Sequence, residues 1–267
     1  QVAEYYNVSL SAVHNLYSRN KTEIDSDGTE SVTTRDIRLT HCERAKYSGV
    51  AGSTKFIMPS GGEFLLNNRR TRVFPKRAIL RIGMLLRDSE VAKEVRTQLL
   101  NTFEHATVAQ RISACHVLER VKELFLIPGL EMMTTRQVAE YYEVGQNVIR
   151  ILYMRNKQEI DNDGVTGQNV RDFLALHDVT AKNLHGKRRV SIGEITFDLP
   201  NSGTINLFSK RAILRIGMLL RDSEVAKEVR TQLLNTFEHA TVAQRISTCH
   251  YSSLQGTYSG ESIPSIT

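Results

Sequence analysis

Thr134-Thr-Arg-Gln-Val-Ala-Glu-Tyr-Tyr-Glu-Val-Gly-Gln-Asn-Val-Ile-Arg-Ile-Leu-Tyr-Met154 carries two short apolar periodicities separated by Glu143-Val144-Gly145. In the first run Val138, Ala139 and Tyr142 share one side, and the hydroxyl of Thr134 or Thr135 can cap the helix start. In the second, Val148, Ile149 and Leu152 recur at helical spacing. The spacing predicts two short helices joined by a three-residue turn.

The same text occurs twice. Gln1-Val-Ala-Glu-Tyr-Tyr6 returns as Gln137 to Tyr142, Glu23-Ile-Asp-Ser-Asp-Gly28 returns as Glu159-Ile-Asp-Asn-Asp-Gly164, and Lys76 to Ser113 returns without one change as Lys210 to Ser247. At a spacing of 134 to 136, each copy has the length of a whole domain rather than of a solenoid unit. The expected organisation is a first domain over 1–116, a connecting helix and linker over 117–133, a second domain over 134–250 and a flexible tail over 251–267.

Outward from the helix pair, Asn162-Asp163-Gly164 signals a turn and Val170 to His177 a third short helix. The period then changes: Val190 to Leu199 and Thr204 to Phe208 flank Pro200-Asn-Ser-Gly203, which predicts a β-hairpin. Lys55 to Met58 and Glu63 to Phe74 match it in the first copy. The identical block predicts a buried helix from Arg77 to Leu86. An amphipathic one follows, capped by Asp88 or Ser89, with Val91, Val95, Leu99, Phe103 and Ala106 on one stripe. Arg87, Asp88, Glu94, Arg96, Glu104 and His105 are expected on its outer face. Val117 to Ile127 continues as a helix until Pro128-Gly129.

A helix-turn-helix that reads DNA needs a small residue where its helices cross, an apolar residue in the turn and two apolar anchors on the second helix. Ala139, Val144, Ile149 and Leu152 stand at those places, as do Ala3, Val8, Val13 and Leu16 in the first copy. Glycine is usual at one turn position, where this chain has Asn7 and Glu143. The outward positions of the second helix differ between copies. Ser9, Ser11, His14, Asn15 and Ser18 stand against Gly145, Asn147, Arg150, Ile151 and Met154, with Gln146 beside them. A buried side fitted to one scaffold and an outer side fitted to differing base edges would diverge in this way. Arg19 and Lys21, like Arg155 and Lys157, suit phosphate contacts. So do the basic runs beside the hairpins, Arg69, Arg70 and Arg72 in one copy and Lys187, Arg188 and Arg189 in the other. Short helix pairs with a crossing alanine also occur in domains that bind no DNA, and a small basic sheet can simply cover a core.

The balance of charge leans the same way, with 35 Lys and Arg against 29 Asp and Glu, a net +6, and an isoelectric point near 9.3. Three cysteines, Cys42, Cys115 and Cys249, show neither a disulfide framework nor metal spacing, and the pairs His41-Cys42, Cys115-His116 and Cys249-His250 are adjacent rather than spaced as ligands. Asp25 to Gly28 and Asp161 to Gly164 resemble part of a calcium loop, yet Thr34 and Val170 stand where a bidentate Glu is needed. No phosphate loop or nucleophile elbow points to an enzyme, and no cofactor is implied. No apolar run has the length of a membrane span. The chain starts at Gln1 inside a motif whose second copy is preceded by Met133-Thr-Thr-Arg136, so a preceding segment is expected.

The Thr-Thr-Arg-Gln-Val-Ala-Glu-Tyr-Tyr start resembles excisionase-like and MerR-like winged helix-turn-helix modules. The whole copy, ending in Arg-Ala-Ile-Leu-Arg-Ile-Gly-Met-Leu-Leu-Arg-Asp-Ser-Glu-Val-Ala, resembles DNA-binding regulators of phages and prophages such as the antirepressor group. The resemblance implies an α+β, mainly α fold: two tandem winged helix-turn-helix domains, each followed by a helical subdomain. It also implies a regulator in the bacterial cytoplasm at the nucleoid, with double-stranded DNA as partner. Self-association through 76–113 and 210–247 is expected from their identity. The alternative is a protein-interaction adaptor or antirepressor that captures a repressor or host factor through those helices.

Overall fold

The computed structural model describes residues 1–36, 46–50, 52–57, 63–106, 126–127, 130–176, 180–184, 187–192 and 195–240. The expected helix from Val117, apart from its last two residues, the tail and the three His-Cys pairs lie outside them. So does the side chain of Lys187. The fold is α+β, and every strand pairing among the described residues is antiparallel. No helix among them is long and apolar enough to cross a membrane.

In chain order the helices are α1 Val2–Tyr5, α2 Leu10–Arg19, α3 Lys21–Asp25, α4 Lys76–Leu85, α5 Glu90–His105, α6 Thr135–Tyr141, α7 Gln146–Arg155, α8 Lys157–Asp161, α9 Val170–Leu176, α10 Lys210–Leu219 and α11 Glu224–His239. The strands are β1 Glu30–Val32, β2 Lys46–Val50, β3 Ser53–Ile57, β4 Glu63–Asn67, β5 Thr71–Val73, β6 Met132–Thr134, β7 Val165–Asn169, β8 Thr180–Leu184, β9 Lys187–Ile192, β10 Ile195–Leu199 and β11 Thr204–Ser209. The chain divides into two compact units. One comprises Val2 and Ser11–Ile82; the other comprises Gln1, Ala3–Leu10 and the chain from Gly83 onward.

In the smaller unit β1 pairs with β5, Glu30 facing Val73, and β2, β3 and β4 form a three-stranded sheet with Phe56 buried. Asp27 follows α3 and is buried there with Glu23, which would be costly for two carboxylates alone. Arg81 of α4, itself buried, neutralises both: Nη1 donates to Glu23 Oε1 at 2.8 Å, Nη2 to Asp27 Oδ1 at 2.8 Å, and Nε to the other Asp27 oxygen. Arg77 adds a bond to Asp27 at 2.9 Å. The acidic turn that resembled a calcium loop is thus a receptor for arginine.

The larger unit repeats this device, with Arg215 Nε on Asp163 Oδ2 at 2.6 Å and Nη1 on Glu159 Oε1 at 2.9 Å. Its α6 starts with a capping box, in which Thr134 Oγ1 accepts from the Gln137 amide and the Gln137 side chain accepts from the Thr134 amide. Ser89 and Ser223 cap α5 and α11 through the amides of Ala92 and Ala226, each at 3.1 Å. Helix α5, from the first copy, packs against α11 and α10 of the second. The expected stripe on α5 is largely buried, with Val95, Leu99, Phe103 and Ala106 in the core and Val91 half-exposed.

Two expectations change. The hairpin predicted across Pro200 to Gly203 does not form: β10 pairs with β9, Ile195 facing Ile192, while β11 sits between β6 and β7. The turn, with Gly203 at φ 98°, passes the chain from one sheet to the next. Both sheets serve one core, because Val190, Phe197 and Leu199 bury together with Ile205, Leu207, Val170 and Phe173. Arg96 likewise does not lie on an outer face. It is fully buried, donating through Nη1 to the carbonyls of Gly83 and Leu86 at 2.9 and 2.6 Å.

Candidate nucleic-acid interface

The approach of α6 to α7 is set by side chains of the turn and the crossing. Ala139 is buried where the helices meet, and Ile149, Leu152 and Tyr153 bury the inner side of α7. The Val144 amide donates to the Ala139 carbonyl at 2.9 Å, closing the turn. Glu143 takes the left-handed conformation, φ 55°, and Asn7 does the same in the first copy, φ 51°. These are the two positions where glycine was expected, and both keep its backbone. Asn adopts it readily; Glu does so against a steric penalty.

Tyr142 then locks α6 to α10. Its hydroxyl donates to the Ile213 carbonyl at 2.7 Å, and burial, then the neighbouring Tyr141, holds its pKa well above the ordinary tyrosine value. Gly217 allows the contact, since a Cβ there would stand 2.4 Å from the Tyr142 hydroxyl.

This frame leaves the other side of α7 open. Gln146, Asn147, Arg150 and Arg155 are exposed, together with Val148 and Ile151 at 45% and Met154 at 67%. In the first copy Ser9, Ser11, His14, Asn15, Ser18, Arg19 and Lys21 are exposed. A cleft of about 210 Å³ runs beside α7, lined by Gln146, Arg150, Thr135, Arg136, Asp198 and Asn206 among others. Asp198 of β10 fixes one wall. It accepts from Arg136 Nη1 at 2.9 Å and Arg189 Nε at 3.1 Å, while Arg136 also donates to Glu140 at 2.9 Å. The bond to Glu140 is the largest influence raising the Arg136 pKa; partial burial opposes it and the charge of Asp198 adds to it.

The basic residues named from sequence fare differently. Arg69 and Arg70 are exposed, Arg188 is half-buried, and Lys187 lies on β9. Arg72 stacks 4.1 Å over the ring of Tyr17. Lys21 is held by Asp25 at 2.6 Å, and Lys157 by Asp161, each carboxylate also accepting from a tyrosine hydroxyl, Tyr17 or Tyr153, at 2.7 Å. Sequence reasoning missed these partners, although Lys21 to Asp25 and Lys157 to Asp161 stand at the i,i+4 spacing that signals them.

A second, larger cleft of about 1030 Å³ lies between α5 and the α8–α10 region. Its floor is ionic: Arg211 bonds Glu104 at 2.6 Å, Asn101 at 2.7 Å and Asp163 at 2.7 Å, and Arg215 reaches Thr97 at 3.0 Å. No group of three potential metal ligands occurs among the described residues. No family model, curated protein or solved structure matches this chain.

Proposed function

We propose that this chain binds double-stranded DNA with sequence preference, as a regulator of phage or mobile-element type, through two tandem winged helix-turn-helix domains. The observation that carries the reading is the partition of α7. Ile149, Leu152 and Tyr153 are spent on the frame, while Gln146, Asn147 and Arg150 project from the exposed side beside a cleft. Such amide and guanidinium groups pair with base edges in the major groove, which admits one α-helix. Arg19 and Arg155, exposed at the ends of α2 and α7, would contact phosphates, with β9 and its arginines along the backbone. The differing outer faces of α2 and α7 would read two different half-sites.

A second reading, a protein-interaction adaptor, draws on Val148, Ile151 and Met154, which give α7 an exposed apolar stripe. The duplicated helices are less suited to an outside partner, because α5 spends its apolar side on α10 and α11. Titrating salt into a complex with random duplex DNA separates the two readings. Affinity that falls steeply with salt supports DNA binding, whereas no binding even at low salt favours the adaptor.

A further inference from the structure

Helix α7 buries Ile149, Leu152 and Tyr153 and exposes the rest of its side chains. At about 3.6 residues per turn, Asn147, Ile151 and Met154 form the row opposite the buried one, with Arg150 and Arg155 to either side and Val148 on the flank. Exposed large apolar side chains gathered on one helix call for a surface to lie against. Two features say which surface. From Gln146 to Lys157 the chain has no Asp or Glu, so this side of α7 is purely basic where it is charged. A partner helix or groove would engage apolar anchors at i, i+3, i+4 and i+7, but counted from Asn147 those places hold Asn147, Arg150, Ile151 and Met154.

The floor of the DNA major groove offers the complement of this mixture: hydrogen-bond acceptors and donors on the base edges, the apolar C5-methyl of each thymine, and phosphates along the rims. We propose that Ile151 and Met154 pack on thymine methyl groups in the major groove, so that the half-site met by α7 is selected by methyls as well as by hydrogen bonds. Thymine is the source of the methyl because Asn147, in the same row, suits adenine, the base that pairs with it. The inference rests on the DNA-binding reading of α7 and names the base chemistry that this helix takes. At the places of Ile151 and Met154 the first copy has Asn15 and Ser18, both exposed, so these methyl contacts are peculiar to α7.

The test takes a duplex enriched by the full chain from a random pool and replaces its thymines with uracil one position at a time, which removes the methyl and keeps the base pairing. Wild-type affinity should fall about fourfold at each of one or two positions, all within one half-site. The variant carrying Ile151→Asn and Met154→Ser, the residues of the first copy, should bind the thymine and uracil forms of those positions alike. The uracil series on the wild type stands by itself if circular dichroism shows that the variant does not fold. Equal wild-type affinity for every uracil form would overturn the methyl contacts while leaving the DNA reading intact, and so would a uracil effect that persists undiminished in the folded variant. Binding to duplex DNA with no sequence enriched would likewise overturn them. Failure of the wild type to bind any duplex, even at low salt, would overturn both readings and return the apolar side chains of α7 to a protein partner.

Discussion

Arg96 Nε of the first copy lies 2.6 Å from Glu159 Oε1 of the second, and Arg96 Nη2 lies 2.8 Å from Glu159 Oε2. The pair is bidentate and buried, and Arg215 of the second copy donates to the same carboxylate at 2.9 Å. One residue of the identical block therefore serves two settings. Arg96 closes the carbonyls of Gly83 and Leu86, as Arg230 closes those of Gly217 and Leu220, and it also reaches across the repeat. A substitution there would be felt both within a copy and between copies, a physical reason for the block to stay unchanged while the outer face of α7 diverged from α2.

Glu159→Ala removes the acceptor shared by Arg96 and Arg215. Leaving buried charges uncompensated should cost about 3–5 kcal/mol. Urea denaturation of the full chain measures it, and a loss comparable to that of an exposed pair such as Lys93–Glu90 would show that the inter-repeat contact contributes little.

Gly217→Ala places a methyl against the Tyr142 hydroxyl, at 2.4 Å before relaxation. Overpacking of this kind should cost about 1–3 kcal/mol. Adding Tyr142→Phe removes the nearest atom, so a double-mutant cycle should be strongly non-additive, with the second change partly rescuing the first. Additive losses would mean that this contact does not set the approach of α6 to α10.

Glu143 pays for its left-handed backbone, so Glu143→Gly should raise stability by up to about 1 kcal/mol, less the extra freedom of glycine in the unfolded chain. Thermal melts of the two proteins provide the comparison. Destabilisation would point to a side-chain role for Glu143.

Asp161 titrates below its ordinary value of 3.8: burial pushes it up, but the bonds from Lys157 and Tyr153 outweigh that. Its folded pKa is therefore below the unfolded one. The stability it contributes is present above the unfolded value and is lost as pH falls through the folded one. Asp161→Asn should flatten the acid limb of a stability-versus-pH curve; an unaltered limb would assign acid lability to other carboxylates.

Much of this could be read from the sequence, and the boundaries show why. The helix pair around Glu143 to Gly145, the cap at Thr134 and the cap at Ser89 rest on local chemistry, and each formed as its residues suggest. Arg96 was misplaced because a charged residue at helical spacing reads as solvated, and the acceptors that compensate its burial, the Gly83 and Leu86 carbonyls and the distant Glu159, come together only in the fold. The hairpin across Pro200 to Gly203 failed for a similar reason. Strand content is written locally, but β11 pairs with β6 and β7 because those edges lie beside it in space. Ile151 and Met154 stand outward as their spacing suggests, whereas Val148, grouped in the sequence with Ile149 and Leu152, is 45% exposed because Ile149 and Leu152 alone take the buried side of α7.

In the proposed DNA-binding reading, base recognition is assigned to Asn147 and Arg150. Changing either to Ala should cost about 1–3 kcal/mol on the preferred sequence and relax the preference there. An equal loss on every duplex would reassign the residue to backbone contact.

Selection from a random duplex pool with the full chain tests the central claim most directly. Enrichment of two unlike half-sites, one of which degrades in the Arg150→Ala protein while the other persists, is the predicted result. A pool that emerges with no sequence enriched would contradict it.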